Sequence, residues 1–184
     1  MSKEIEVKVL GVSLMEMENK LKELGAELVA EEYQINTVID TKDRYIEKHL
    51  NSYLRIRETS NLLTGKRTIK LTLKKNIGKE KARENIEITT AIDDKKAMLE
   101  ILKNLQFNVV QEGYKKRKTY VYENIRFDLD KWDENTYPYE YMEIEVKKEE
   151  DLDKAIELLD INKEQISTKS IMELREEEDK KCTL

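Results

Sequence analysis

Cysteine, histidine and proline occur once each in this sequence of 184 residues, and glycine occurs five times. The lone cysteine, Cys182, cannot form a disulfide within the chain, so we expect a reducing compartment and a cytoplasmic location. No glycine-rich phosphate loop of the P-loop or kinase type is present. No cluster of histidines and cysteines indicates a zinc site. The single histidine, His49, lies among charged residues and is assigned to the surface without a catalytic role.

Long apolar runs are also missing from the chain. None approaches the length that spans a membrane, and Met1-Ser2-Lys3 leads directly into a predicted strand, so we expect no signal peptide and no membrane partner. The net charge of -5 and the pI near 5.3 argue against a nucleic-acid partner. Hydrophobic residues make up 39% of the sequence, which is enough for a folded core. We predict one domain over residues 1–175 and a charged tail over residues 176–184.

The first predicted strand has charge on one face and aliphatic side chains on the other. Side chains alternate across a strand, so Glu4, Glu6 and Lys8 share a face. The five residues of Glu4–Lys8 recur at 143–147, and most stretches between them have the same alternation. Two interpretations fit: charged faces that point to water, or a sheet closed on itself with a polar inside and an apolar outside.

The predicted order is strand, helix, four strands, helix, three strands, helix. Ser13 opens the first helix, whose apolar stripe runs from Leu14 to Leu28, with Gly25 near its end. The next helix is capped by Asp93 or Asp94, and Ser170 caps a last short helix. Residues 41–50 are predicted as a loop or short helix and residues 76–81 as a turn, and the predicted strands cover residues 34–40, 53–57, 67–75, 83–88, 115–119, 125–130 and 143–147.

Two sets of charged residues share the polar faces of these strands. Many charges buried without a ligand would be costly, so the inside-out interpretation predicts a wet cavity with a charged ligand. Carboxylates suit magnesium, manganese or calcium, and paired basic side chains suit phosphate. Metal with a basic clamp is typical of phosphoryl or nucleotidyl transfer. The acids are Glu4, Glu6, Glu87, Asp128, Asp130, Glu143 and Glu145, and the bases are Lys8, Arg55, Arg57, Lys70, Lys74, Arg83, Lys115, Arg117 and Arg126.

The motif Glu4-x-Glu6-x-Lys8 resembles the ExExK signature of the CYTH superfamily, the triphosphate tunnel metalloenzymes. That superfamily includes class IV adenylyl cyclases, thiamine triphosphatases and inorganic tripolyphosphatases. The resemblance covers nearly the whole chain in order, through residues 54–57, 71–74, 83–87, 115–117, 128–130, 143–145 and 168–170. It implies an α+β fold with an eight-stranded antiparallel β-barrel, a charged tunnel inside and helices outside. It also implies Mg²⁺ or Mn²⁺, a small-molecule triphosphate and a homodimer.

The resemblance assigns roles to residues at the matching positions. Metal would be held by Glu4, Glu6, Glu143, Glu145 and one of Asp128 or Asp130, of which Asp130 is preferred because Asp130-Lys131-Trp132 is most like the family's segment. Asn85 replaces a glutamate that is common in the family, which weakens the expectation of a second metal on that strand. The catalytic residues would be Lys8, Arg57 and Glu87, and the triphosphate would be bound by Lys8, Arg55, Arg57, Lys70, Lys74, Arg83, Lys115, Arg117, Arg126 and Lys169.

Four functions remain open at this stage. The first is a metal-dependent hydrolase of tripolyphosphate or of nucleoside or organic triphosphates. The second is a class IV adenylyl cyclase, the third a non-catalytic polyphosphate- or nucleotide-binding module, and the fourth a structural sheet protein. No base-binding site is evident, since its candidates are equally well explained as ordinary strand and loop residues: Tyr137, Tyr139 and Tyr141, or Gln34 and Asn36.

Overall fold

A computed structural model describes residues 2–78 and 81–181 of the chain. Their strands are β1 Ser2–Leu10, β2 Glu27–Asp40, β3 Ser52–Asn61, β4 Arg67–Gly78, β5 Arg83–Ala91, β6 Asn108–Tyr122, β7 Ile125–Trp132, β8 Tyr141–Val146 and β9 Ile166–Ser167. Their helices are α1 Leu14–Glu23, α2 Tyr45–Leu50, α3 Lys95–Asn104, α4 Glu149–Leu158 and α5 Ile171–Lys181.

Eight of the described strands close an antiparallel barrel. Their order is β5-β4-β3-β2-β6-β7-β8-β1, and β1 closes the ring by pairing with β5, as in the register Glu4↔Asn85. The extra strand β9 pairs with the second half of β1, at Lys8↔Ser167. The predicted fold class, an eight-stranded antiparallel barrel with helices outside, is therefore confirmed.

The helices explain why the charged faces point inward. The apolar face of β1 is buried on the outside of the barrel, where Val7 and Val9 are at most 1% exposed. This face belongs to a buried cluster with Leu21 of α1 and Leu152 and Ala155 of α4. Because the outer face is covered by apolar packing, the alternate charged side chains face the interior.

A second, smaller cluster lies on the opposite wall of the barrel. Leu102 of α3 is buried there with Ile39 of β2 and Ile56 of β3. No helix within the described ranges is long and apolar enough to cross a membrane.

The first helix is shorter than the sequence predicted, and the second strand is longer. Helix α1 ends at Glu23, and Gly25 follows with a φ of +79°, a left-handed conformation that ends the helix at little cost to glycine. Leu28 therefore belongs to β2 and not to the stripe of α1. Its side chain still packs against the same buried cluster as Leu21, which explains why an apolar residue stands at this position.

Two further boundaries differ from the prediction. Strand β4 continues through Asn76 to Gly78, into the predicted turn. Residues 41–50, predicted as a loop or short helix, contain the short helix α2 as that prediction allowed, and Asp40 accepts hydrogen bonds from the backbone N–H groups of Ile46 and Glu47 at its start. Helix α5 also runs through Lys181, into the stretch predicted as a tail, and Cys182 lies outside the described residues.

Candidate functional site

The barrel encloses a cavity of about 680 Å³, and half of the residues that line it are charged. The inward faces of the strands place most of the predicted site residues together on this wall. These are Glu4, Glu6, Lys8, Arg55, Arg57, Lys70, Lys74, Arg83, Glu87, Lys115, Arg117, Arg126, Glu143 and Glu145.

Three predicted site residues are not among those that line the cavity. Asp128 and Asp130 are at most 1% exposed, on β7. Lys169 is exposed in the segment before α5, and its ammonium lies 2.6 Å from the carboxylate of Glu177. The structure therefore does not bring these three residues to the cavity with the other members of the predicted metal and phosphate sites.

Arg117 is the centre of a closed ion-pair network in the wall. Its guanidinium lies 2.6 Å from Asp128, 2.5 Å from Asp130 and 2.6 Å from Glu143. Lys115 also donates to Asp130, at 2.8 Å. Burial would raise the pKa of Asp130, but Arg117 and Lys115 outweigh it and hold the pKa below its usual value. The N–H groups of Arg117 and the carboxylates of β7 are therefore already paired within the protein.

Two lysines on the wall are also matched by carboxylates. The ammonium of Lys8 lies 3.2 Å from Glu143. That of Lys74 lies 3.0 Å from Glu4, 3.3 Å from Glu6 and 3.4 Å from Glu87. Burial opposes the charge of Lys74, yet these neighbours and Tyr53 raise its pKa. Three of the predicted carboxylates thus converge on one ammonium group.

Arg55 and Arg57 on β3 differ from these residues because they form no ion pair with a described carboxylate. Neither has a carboxylate within ion-pair distance in the described part of the chain, and the buried Nε of Arg55 has no acceptor. Arg57 donates from Nε to Oδ1 of Asn36 at 2.8 Å. Burial, followed by the charges of Arg55 and Arg117, lowers the pKa of Arg57 to about 10. The positive charge on this part of the wall would be stabilised by a bound anion.

Glu145 is the negative counterpart of these arginines. Its carboxylate lies 3.7 Å from Arg126, a side chain that is 41% exposed. Burial, and the nearby carboxylates of Glu4, Asp128 and Glu6, raise the pKa of Glu145 to about 7 in spite of Arg126. A carboxylate whose charge is disfavoured by other carboxylates is stabilised by a bound cation.

The carboxylates on β1 and β8 are the oxygen donors for the divalent metal that the resemblance implies. Glu6 and Glu145 are direct register partners on β1 and β8, and Glu4 follows on the same face. Within residues 2–78 and 81–181, no three aspartate, glutamate, histidine or cysteine side chains already converge as an ion site. Oxygen donors and the raised pKa of Glu145 nevertheless suit a hard ion such as Mg²⁺ or Mn²⁺. The residues therefore fit the metal at Glu4, Glu6 and Glu145.

The start of α5 contributes Glu173, which the sequence did not indicate as a site residue. Glu173 lines the cavity together with Ser170 and Ile171. The carboxylate of Glu173 lies 3.1 Å from Arg83 and accepts a hydrogen bond from the backbone N–H of Ser170. A contact between residues 90 positions apart leaves no local pattern in the sequence, so it could not be predicted.

The comparisons with known proteins agree with this fold. The sequence model of the CYTH domain matches residues 2–173 of the chain. A comparison with curated proteins gives no match.

Solved structures resemble the barrel over most of its length. The PH1819 protein from Pyrococcus horikoshii OT3 is 26% identical with a TM-score of 0.77, and the match covers 95% of this chain and 99% of that one. A candidate adenylate cyclase from Vibrio parahaemolyticus is 18% identical with a TM-score of 0.72, covering 94% and 97%. HpAC1 from Hippeastrum, a candidate adenylyl cyclase described as having a dominant triphosphatase activity, is 17% identical with a TM-score of 0.65, covering 85% of each chain. The similarity to the last two proteins shows a shared fold.

Proposed function

The chain belongs to the CYTH domain family, and on this premise we propose that its barrel is a metal-dependent hydrolase of small-molecule triphosphates. The observation that carries the proposal is the pair Arg55 and Arg57, which line the cavity half-buried and without a carboxylate partner among the described residues. Uncompensated guanidinium groups are costly unless a ligand provides the missing negative charge. A triphosphate provides several such charges, and guanidinium groups match its oxygens in pairs.

We assign phosphate binding to one wall of the cavity and metal binding to another. Arg55 and Arg57 bind phosphate oxygens, with the exposed Lys70 beside them on β4. Glu4, Glu6 and Glu145 on β1 and β8 hold the metal ion. The ion supplies neutralisation of charge on the phosphoryl oxygens when it is bound.

The remaining predicted residues have supporting roles in the proposal. The network of Asp128, Asp130 and Glu143 keeps Arg117 in place and binds no metal itself. Lys74 orients the carboxylates Glu4 and Glu6 when no ligand is bound. Lys169 takes no part in this arrangement.

Hydrolysis needs a proton acceptor for the attacking water and positive charge at the phosphoryl group. Glu87 lines the cavity and is held by Lys74 at 3.4 Å, a long contact that leaves its oxygens open to a water molecule. Lys8 and Arg57 line the same cavity and stabilise negative charge that develops on the transferred group. These are the roles we assign to the three catalytic residues.

Product analysis tests the proposal. The purified protein is incubated with tripolyphosphate, ATP or thiamine triphosphate, each with Mg²⁺ or Mn²⁺, and the products are separated by chromatography. We expect orthophosphate from tripolyphosphate and little cyclic AMP from ATP. Cyclic AMP and pyrophosphate as the main products in equal amounts would show a class IV adenylyl cyclase instead. Binding without any product would show a binding module.

A matched variant tests the metal site in the same assay. Glu6→Gln keeps the shape of the side chain and removes a charged oxygen ligand, so we expect a folded protein by circular dichroism without turnover. Full activity of the folded variant would refute the metal assignment. The choice between Mg²⁺ and Mn²⁺, the homodimer and the cytoplasmic location stay predictions from the sequence.

A further inference from the structure

Two buried carboxamides line the cavity beside the proposed phosphate site. Gln34 and Asn36 lie on the inward face of β2 and are at most 2% exposed. Each has one polar atom without a hydrogen-bond partner, namely Oε1 of Gln34 and Nδ2 of Asn36. Because buried polar atoms are nearly always paired, two adjacent unpaired atoms on a cavity wall need an explanation.

The orientation of both amides is fixed by charged neighbours. Gln34 donates from Nε2 to the carboxylate of Glu32 at 2.6 Å. Asn36 accepts at Oδ1 from Nε of Arg57 at 2.8 Å. A carboxylate only accepts and a guanidinium only donates, so turning either amide over would oppose like groups. The atoms left unpaired are therefore an acceptor on Gln34 and a donor on Asn36.

A phosphate group does not satisfy this pair. Ionised phosphate oxygens only accept hydrogen bonds, so they could pair with Nδ2 of Asn36 but not with Oε1 of Gln34. The acceptor requires an O–H or N–H from its ligand. The cost of leaving such a group buried and unpaired is about 1–3 kcal/mol, which a ligand can recover.

The contacts of Asn36 indicate that the group bound by the two amides lies next to the phosphates of the same ligand. Arg57, which we assign to phosphate oxygens, is hydrogen-bonded to Asn36. On the other side, Asn36 pairs in register with Gly113 of β6. A Cβ at Gly113 would overlap Oγ1 of Thr136, so this glycine lets the loop after β7 close over the wall. Asn36 thus lies between Arg57 and the strand position that this loop covers.

We propose that Gln34 and Asn36 bind the ribose hydroxyls of a nucleoside triphosphate, an inference that rests on the proposed triphosphate site. The sugar is the part of a nucleoside triphosphate nearest to its phosphates, and Asn36 adjoins the residue assigned to them. A hydroxyl both donates and accepts. One hydroxyl of the vicinal diol donates to Oε1 of Gln34, and the other accepts from Nδ2 of Asn36. The base lies outside this contact.

Equilibrium binding to the full-length protein tests the proposal without turnover. Dissociation constants are measured by calorimetry in EDTA for ATP, UTP, 2′,3′-dideoxy-ATP and tripolyphosphate. For the wild type we expect ATP and UTP to bind within a factor of about 3 of each other. Loss of two hydrogen bonds should make 2′,3′-dideoxy-ATP bind roughly tenfold more weakly than ATP.

Two variants and one control assign the effect to the amides. Gln34→Met removes the acceptor, and Asn36→Leu removes the donor without adding a group that could accept from the ribose hydroxyl. The ratio of the dissociation constants for dideoxy-ATP and ATP should fall toward 1 in both variants, because the lost contact of Asn36 with Arg57 affects both ligands and cancels in this ratio. Asn76→Leu is the control, because Nδ2 of Asn76 is buried and unpaired but Asn76 does not line the cavity. It should keep the wild-type ratio.

The outcomes separate this inference from the proposed function. Equal binding of ATP and dideoxy-ATP to the wild type would overturn the ribose assignment, even if tripolyphosphate is bound and hydrolysed. Strong preference for ATP over UTP with no effect of the hydroxyls would also overturn it, in favour of base recognition. Failure of tripolyphosphate to bind or react would overturn the triphosphate site, and a retained hydroxyl effect with ATP would then still support the amide pair.

Discussion

Arg117 and Arg57 both line the barrel cavity, yet their surroundings are opposite. Arg117 lies within 2.6 Å of three carboxylates, and their charges raise its pKa even though burial lowers it. Arg57 donates a hydrogen bond to the neutral amide of Asn36. Burial and the charges of Arg55 and Arg117 lower its pKa to about 10. The two residues would be equivalent if only their type and strand face were considered.

The difference distinguishes charges that stabilise the barrel through ion pairs from charges that a bound ligand would neutralise. A buried ion pair is expensive to break, because the remaining partner stays uncompensated. A buried charge without a partner already carries that cost in the free protein, and a ligand of opposite charge recovers it. Removing Arg117 should therefore affect stability, whereas removing Arg57 should affect binding.

The largest expected effect is that of Arg117→Met on folding. The substitution leaves Asp128, Asp130 and Glu143 buried without their main partner, so we expect a loss of about 3–5 kcal/mol in the free energy of unfolding. Arg57→Met is the matched control and should change this energy by about 1 kcal/mol or less, since only one hydrogen bond is lost. Urea unfolding at pH 7 measures both. Similar losses for the two variants would contradict the distinction.

The next effect is the stabilisation of the wild type by ligand. Tripolyphosphate at one hundred times its dissociation constant should raise the free energy of unfolding by about 2.7 kcal/mol, because it binds only the folded state. At the same concentration the Arg57→Met protein should gain much less. Thermal unfolding with and without tripolyphosphate checks this. No shift in the wild type well above micromolar concentration would contradict the binding of a triphosphate in the cavity.

A smaller effect is expected from Arg57→Lys on catalysis. Lysine keeps the charge but loses the planar pair of donors that matches phosphate oxygens. We expect kcat/KM for tripolyphosphate to fall roughly tenfold or more, which is about 1.4 kcal/mol of transition-state binding. Steady-state phosphate release gives this number. Equal kinetics for the variant and the wild type would remove Arg57 from the clamp.

The smallest effect concerns an ion pair outside the barrel, where water weakens the interaction. Burial opposes the charge of Glu18, but hydrogen bonds from Lys22, Lys118 and Tyr120 outweigh it and lower its pKa to about 2. A lowered pKa stabilises the fold above about pH 4.5, and this contribution is lost as the pH falls toward 2. We expect Glu18→Gln to cost less than about 1 kcal/mol at pH 6 and still less at pH 3. A larger cost at pH 3 would reverse the predicted sign.

Alternation and the resemblance to the CYTH superfamily together predicted the inside-out barrel, but they did not predict the difference between Arg117 and Arg57. Alternation along a strand determines which side chains share a face, but it left open whether the charged faces point to water or to an interior. Which charges meet depends on the order and register of strands that are distant in sequence. Arg117 meets Asp130 because β6 and β7 pair at these two positions, whereas Arg57 pairs in register with Asn36 and Lys70. Neither pairing leaves a local pattern.

Two other differences have similar physical causes. Lys169 was predicted by resemblance to bind phosphate, but α5 places it beside Glu177 on the surface. Gln34 and Asn36 were visible as polar residues of one strand face. Their unpaired atoms follow from contacts with Glu32 and Arg57 that only the folded chain provides.

The central claim is that the unmatched arginines of β3 bind the triphosphate, and calorimetry tests it most directly. Tripolyphosphate is titrated at pH 7 in EDTA, where it is not hydrolysed, into the wild type and into a double variant, Arg55→Met with Arg57→Met, whose fold is checked by circular dichroism. We predict one binding site per chain in the wild type and at least a hundredfold weaker binding in the folded double variant, about 2.7 kcal/mol or more. Equal affinities in the two proteins, or no binding to the wild type, would contradict the claim.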